Sequence, residues 1–188
     1  MHNTISTQRD INLATSLNIL GLFGISVILI VAFYYQLARF ELPCPLCLLQ
    51  RAGIIMIGFG FLFNIYFGIK NTHYSISIIG CIVTGFVAMR HVSLHILPGD
   101  TGYGSTFFGL HFYTWAAIVS ILTIIAIAVI MPLKTGNTDS ARYTPPMLGK
   151  IAMGLFAFLI AANLISTILE CGGGQCDDNP TFYELLKK

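Results

Sequence analysis

The sequence predicts an all-α integral membrane protein that crosses the bilayer five times. Three observations carry that prediction. Of 188 residues, 55% are apolar and only 10% are charged, with a mean hydropathy of +0.78; a globular domain carries about 25% charged residues. The apolar residues fall into five blocks, each about the 20 residues that a helix needs to span a membrane. No period-two alternation is sustained, which argues against a β-rich chain. The net charge of +2 is spread without a basic stripe, so no nucleic-acid partner is expected.

Each element follows from the pattern in turn. Residues 1–13 are polar and read as a mobile lead. The first span, residues 13–35, has the core GLFGISVILIVAFYY. It is too long for a signal-peptide core and lacks a small-residue cleavage site after it, so it reads as a retained anchor. The short loop QLARFELPCP leads to a second span over residues 45–68. Lys70, Asn71 and His73 mark a tight turn before a third span over 74–97. Pro98, Gly99, Asp100 and Gly102 then break the helix, and a loop runs to His111. The fourth span covers 112–131. The polar loop KTGNTDSARYTPP separates it from a fifth span over 147–169, and the tail ECGGGQCDDNPTFYELLKK follows. The chain thus divides into a four-span part, 1–131, and a part of loop, fifth span and tail, 132–188.

Charge gives a weak orientation. With the N-terminus inside, Arg9, Lys70, Lys134, Arg142 and Lys150 lie inside, and Arg39, Arg51, Arg90, Lys187 and Lys188 outside, a tie. Setting aside Arg51 and Arg90 within helix ends and the two terminal lysines favours the N-terminus inside. The cysteines give a stronger constraint. Cys44 and Cys47 precede span two, and Cys171 and Cys176 follow span five. Four crossings lie between, so both pairs face one side, where they can exchange a disulfide. The fifth cysteine, Cys81, lies inside span three near its inner end and reads as a small apolar packing residue.

The segment Pro43-Cys44-Pro45-Leu46-Cys47-Leu48-Leu49-Gln50-Arg51 carries the chemistry. Pro45 suits the first helical position because its missing N–H is unsatisfied there anyway. That places Cys44 at the cap and Cys47 in the first turn, where the helix dipole favours a thiolate. Arg51 follows Cys47 by four residues, on the same face, and Gln50 can donate a hydrogen bond. An activated sulfur at the membrane surface adjoins the apolar layer in which quinones dissolve. A C-x-x-C pair also serves haem attachment and metal sites. Leu48 stands where haem attachment needs a His, and a zinc site needs two more converging ligands. No metal site is expected at either pair; Cys171, Cys176 and Asp177 lack a fourth ligand.

Cys44-Pro45-Leu46-Cys47 with Gln50-Arg51 resembles the signature of the disulfide bond formation protein B (DsbB) family. Arg90-His91-Val92, Leu94 and Leu97-Pro98 resemble the family pattern at the outer end of span three. Phe108-Gly109-Leu110 with Trp115 resembles the approach to its fourth helix. The resemblance covers about residues 12–131. It implies a four-helix transmembrane bundle in the bacterial inner membrane, here with an additional C-terminal transmembrane helix. It further implies a thiol:quinone oxidoreductase that reoxidises a periplasmic, thioredoxin-like DsbA-type partner with ubiquinone or menaquinone as acceptor. By the same resemblance, Cys47 is the sulfur facing the quinone and Cys44 its exchange partner. Gln50, Arg51, Arg90 and His91 bind the cofactor.

The departure from the family pattern is as informative. Members carry a second cysteine pair between spans three and four, and residues 98–111 hold none. Cys171 and Cys176 are expected to replace it, passing electrons from the partner to Cys44, with Gly172, Gly173 and Gly174 lending the tail freedom. The alternatives are a static staple in the tail, an enzyme run in reverse as a membrane reductant, and a non-enzymatic protein that binds a metal or partner through its cysteines. His95 reads as an interfacial histidine, and Tyr34, Tyr35, Tyr113 and Trp115 as an aromatic belt. Asn64 and Asn163 are expected to bond across helices, and Gly58, Gly60, Gly80 and Gly85 to allow close helix approach.

Overall fold

The computed structural model describes residues 2–132 and 144–186, with side chains from residue 11 onward. In chain order it forms α1 (His2–Ala38), α2 (Pro45–Phe67), α3 (Asn71–Leu94), β1 (Thr106–Phe107), β2 (Leu110–His111), α4 (Phe112–Ile130), α5 (Met147–Cys171) and a closing 3-10 turn, Glu184–Leu186. Within the described residues, five helices are long and apolar enough to cross a membrane, α1 through its segment Ile11–Ala38. Their outward faces are themselves apolar: Leu20, Phe86, Val129 and Phe158 are each at least 67% exposed. A water-facing helix would carry charge there, so the chain is a multi-pass membrane protein.

Two boundaries differ from expectation. The polar lead is helical from His2, because neither Pro nor Gly interrupts the sequence before Gly21. The turn after α2 is shorter than expected: Gly68 ends α2 at φ 84, and Asn71 and His73 already belong to α3. Lys134, Arg142, Lys187 and Lys188, with most of the loop between α4 and α5, lie outside the described residues, as does the Arg9 side chain.

The helices pack in the order α4, α3, α2, α1, α5. The tightest seam is the antiparallel pair α2 and α3. A Cβ on Gly80 would meet the backbone N of Ile57 at 2.7 Å, and one on Gly60 would run into Ser77 and the carbonyl of His73. Small residues let these backbones touch, the usual means of helix association where lipid removes the hydrophobic drive. Leu22, Leu29, Ile57, Ile65, Tyr74 and Phe156 fill the core. Gly58 receives the Phe156 ring of α5, whereas Gly85 makes only an ordinary contact with Ser120, at 3.7 Å. Cys81 is buried near the middle of α3 rather than at its inner end, inside the same core.

A polar knot ties the end of the bundle opposite Cys44 and Cys47. Asn64 Nδ2 donates to Asn18 Oδ1 at 3.0 Å, and Asn18 Nδ2 donates to the Tyr74 hydroxyl at 2.7 Å. Asn64 Oδ1 also accepts from the Lys70 N–H at 3.0 Å. Asn64 therefore bonds across helices as expected. Asn163 instead donates to Leu159 O within its own helix, at 3.1 Å.

Candidate functional site

Two prolines and a cap shape the N-terminal end of α2. Cys44 occupies the N-cap, with ψ at 163, and its sulfur accepts from the Cys47 N–H at 3.2 Å. Pro45 begins the helix. Cys44 and Cys47 are disulfide-bonded with Cα atoms 5.0 Å apart. Cys44 is buried and Cys47 partly exposed, so the pair presents one sulfur inward and one toward an opening.

That opening is a cavity of about 350 Å³ in the gap between α1 and α4, which do not pack as neighbours. Val27, Val31, Ile54, Phe112, Ala116 and Val119 give it apolar walls. Cys47, Gln50, Arg51, Glu41 and Tyr103 supply its polar points. Tyr35 and Phe112 close the outer end, their ring centroids 4.6 Å apart. The loop 95–111 lies across the cysteine loop: the Tyr103 hydroxyl donates to Leu42 O at 2.8 Å, and Ser105 bonds Glu41 through both its N–H and its hydroxyl. Burial pushes the Tyr103 phenol above its usual pKa, so it stays a neutral donor there. Phe108 and Gly109 turn the β1–β2 hairpin with φ of 51 and 79, the left-handed pair that a two-residue hairpin turn requires. Trp115 Nε1 donates to Phe107 O at 2.8 Å and fixes that hairpin on α4.

Arg51 reaches to α1. Its Nη1 donates to Gln36 Oε1 at 2.6 Å and its Nη2 to Ala32 O at 3.3 Å, with the guanidinium 5.6 Å from the Phe33 ring. Gln36 in turn donates to Ser166 Oγ of α5 at 2.7 Å and to the Tyr183 hydroxyl of the tail at 3.1 Å. Glu170, buried at the end of α5 and within electrostatic reach of Arg51, has no hydrogen-bond partner on either oxygen among the described residues. Cys171 ends α5; Gly172 turns at φ 62, and Cys171 is disulfide-bonded to Cys176 with Cα atoms 4.6 Å apart. The contacts of Gln36 bring the tail to the end of the bundle that holds Cys44 and Cys47.

The other candidate residues divide. Gln50 and His91 are buried and face each other, Nε2 to Nδ1, at 3.4 Å. A ring nitrogen of His91 and both sulfurs of the disulfide lie within 4.8 Å of one another, and the His91 ring packs on Tyr113 with centroids 4.3 Å apart. Arg90, one residue earlier and so roughly 100° around the helix, is exposed and off the cavity wall. His95 is held by Asp100 at 3.1 Å, and the Gly102 N–H and His95 together keep the Asp100 carboxyl below its usual pKa. Sequence reasoning passed over Gln36, Glu41, Tyr103, Glu170 and Tyr183. The signal for Gln36 and Glu170 was a lone polar group at the end of an apolar block; that of Glu41, Tyr103 and Tyr183 depends on chain folding back from far away.

Fold and site together define a polytopic helical membrane protein whose C-x-x-C disulfide stands at the mouth of an apolar cavity between helices. A family model described as "Disulfide bond formation protein DsbB" matches residues 14–103. Over that segment the chain is similar to the DsbB family. Two curated relatives are both named "Disulfide bond formation protein B". The one from Nitrosococcus oceani is 36% identical over 89 residues, covering 43% of this chain and 50% of the relative. The one from Hahella chejuensis is 34% identical over 98 residues, covering 50% and 56%. The chain thus spans about half the length of the curated relatives it matches. No solved structure matches it.

Proposed function

We propose that the chain is a thiol:quinone oxidoreductase of the bacterial inner membrane, working in disulfide bond formation. In this reading it takes electrons from a periplasmic thioredoxin-like, DsbA-type dithiol. The observation that carries the reading is the position of Cys47: it belongs to a disulfide and lines an apolar cavity that also holds a fixed cation, Arg51. The residues suit a quinone head group. A cavity of about 350 Å³ falls in the usual range for small-ligand pockets, about 300–1,000 Å³. Its polar points are few and directional, as such pockets require.

Bound there, ubiquinone or menaquinone would supply the two-electron acceptor. The chain's own residues do the rest. A partner thiolate attacks the tail disulfide, and the resulting tail dithiol attacks Cys44–Cys47, each step exchanging one disulfide for another. The amide dipoles at the start of α2 stabilise negative charge on Cys47. Gln50 and Arg51, on the cavity wall, are the proposed cofactor neighbours; His91 stands off that wall against Gln50, and Arg90 is turned outward. Both cysteine pairs face the periplasm in this reading. Residues 1–131 form the redox bundle, and residues 132–188 deliver electrons to it.

The test uses the full chain in detergent micelles with a reduced DsbA-type protein and a soluble quinone. Absorbance of the quinone should fall with turnover, and Cys47→Ser should abolish it. Native-rate turnover by Cys47→Ser would refute the assignment. Replacing Cys171 and Cys176 by Ser should stop oxidation of the partner while leaving a small-molecule dithiol as a substrate; undiminished partner oxidation would make the tail disulfide a staple.

A further inference from the structure

Besides its disulfide, the outer end of α2 holds a third metal-binding side chain. A C-x-x-C pair alone makes a poor metal site for want of ligands. The fold supplies one from α3: a His91 nitrogen lies within 4.8 Å of both sulfurs, with His91 and Cys44 buried. We infer that reduction of Cys44–Cys47 turns these three side chains into a site for a divalent metal of zinc's class, and that the metal holds the dithiol out of turnover. The inference rests on the reading above that this pair cycles through the dithiol.

The chemistry balances without electron transfer. The oxidised pair has no thiolate to offer. The reduced pair binds Zn²⁺ through two Zn–S bonds and one Zn–N bond and releases the two thiol protons. Bond lengths of about 2.3 Å to sulfur and 2.0 Å to nitrogen set ligand atoms roughly 3.5 Å apart, so the imidazole needs to close on the sulfurs by only about 1 Å, while the two sulfurs, bonded in the disulfide, part on reduction. Gln50 Nε2 faces Nδ1; with its amide turned over, Gln50 Oε1 accepts from Nδ1–H and leaves Nε2 for the metal, as outer partners of metal-bound histidines do. Cys47 borders the cavity, leaving the fourth position to water, the arrangement of an open zinc site. A bound metal would occupy both sulfurs and block their reoxidation.

The experiment uses the full chain with Cys171→Ser and Cys176→Ser, which removes the tail thiols as competitors. The protein is reduced, freed of reductant without air, and titrated with Zn²⁺ against a chromogenic chelator, with Co²⁺ as a spectroscopic probe of tetrahedral thiolate ligation. One zinc per chain is expected in the reduced protein and none in the oxidised. His91→Ala should weaken binding at least 100-fold, and Gln50→Ala on the order of tenfold. His91→Cys, which restores a third ligand, should recover binding and guards against a misfolded alanine variant. Equal zinc uptake by oxidised and reduced protein, or unchanged affinity in His91→Ala, would overturn the site. In the chain with all its cysteines, a Cys44–Cys47 pair that chemical reductant opens but a DsbA-type dithiol does not would refute the redox reading while leaving the zinc titration decisive.

Discussion

Arg51 shows how one side chain can serve two elements. Its guanidinium is bound by Gln36 and by Ala32 O, so it is held where it stands rather than free to follow a ligand. Hydrogen bonds from charged groups are worth about 1.5–3 kcal/mol, roughly ten- to a hundred-fold in an equilibrium constant. Arg51→Gln is therefore expected to raise KM for a soluble quinone by that factor while leaving the helical circular dichroism unchanged. Asp100 offers a test by pH. Its carboxyl is depressed below the usual value of 3.8, so its contribution to loop order is present above that value and is lost only as pH falls through the lower, folded one. Trp115, the single tryptophan, is bonded to the hairpin of that loop. Its fluorescence should stay constant down through the ordinary carboxylate range and change in stronger acid, whereas Asp100→Asn should show the acid signal already at neutral pH.

Among the elements, the seam between α2 and α3 tolerates least. At Gly80 an added methyl meets backbone, not a movable side chain, so the helices must part. Overpacking of this kind costs about 1–3 kcal/mol. Gly80→Ala should lower the thermal midpoint in micelles by several degrees, at about 2–4 °C per kcal/mol for a chain of this size. Gly24→Ala, with nothing within 4 Å of its new methyl, should not. These elements were largely legible in the sequence. Apolar run length marked the five spans, and Pro45 after Cys44 marked where α2 starts. The β1–β2 hairpin was not legible, because two-residue strands give no periodicity. The same holds for the Glu41–Ser105 and Tyr103–Leu42 bonds, which join positions about 60 residues apart. In the site, the cysteines and Arg51 stood out by spacing. The outward turn of Arg90 and the approach of His91 to the sulfurs depend on the rotation of α3, which no local pattern encodes.

For the whole molecule, the number of crossings makes a prediction that charge could not. Both disulfides lie at one end of the bundle, joined through Gln36, Ser166 and Tyr183. In intact cells treated with a permeable reductant, an impermeant maleimide should label the Cys44–Cys47 and Cys171–Cys176 pairs from the same face. Labelling of one pair only, with the other reached only after lysis, would place α5 along the surface instead of across the bilayer. The placing of α5 has a further bearing. It leans on α1 and α2 and contributes nothing to the cavity wall, so the gap between α1 and α4 keeps its doorway into the lipid. If a quinone is the ligand, as proposed, the room inside suits its ring and not a long isoprenoid chain, which would trail among the acyl chains. On that reading, quinones that differ only in the length of that chain should turn over at one kcat, with KM following their partition into the bilayer: the protein would select the head, and the membrane the tail.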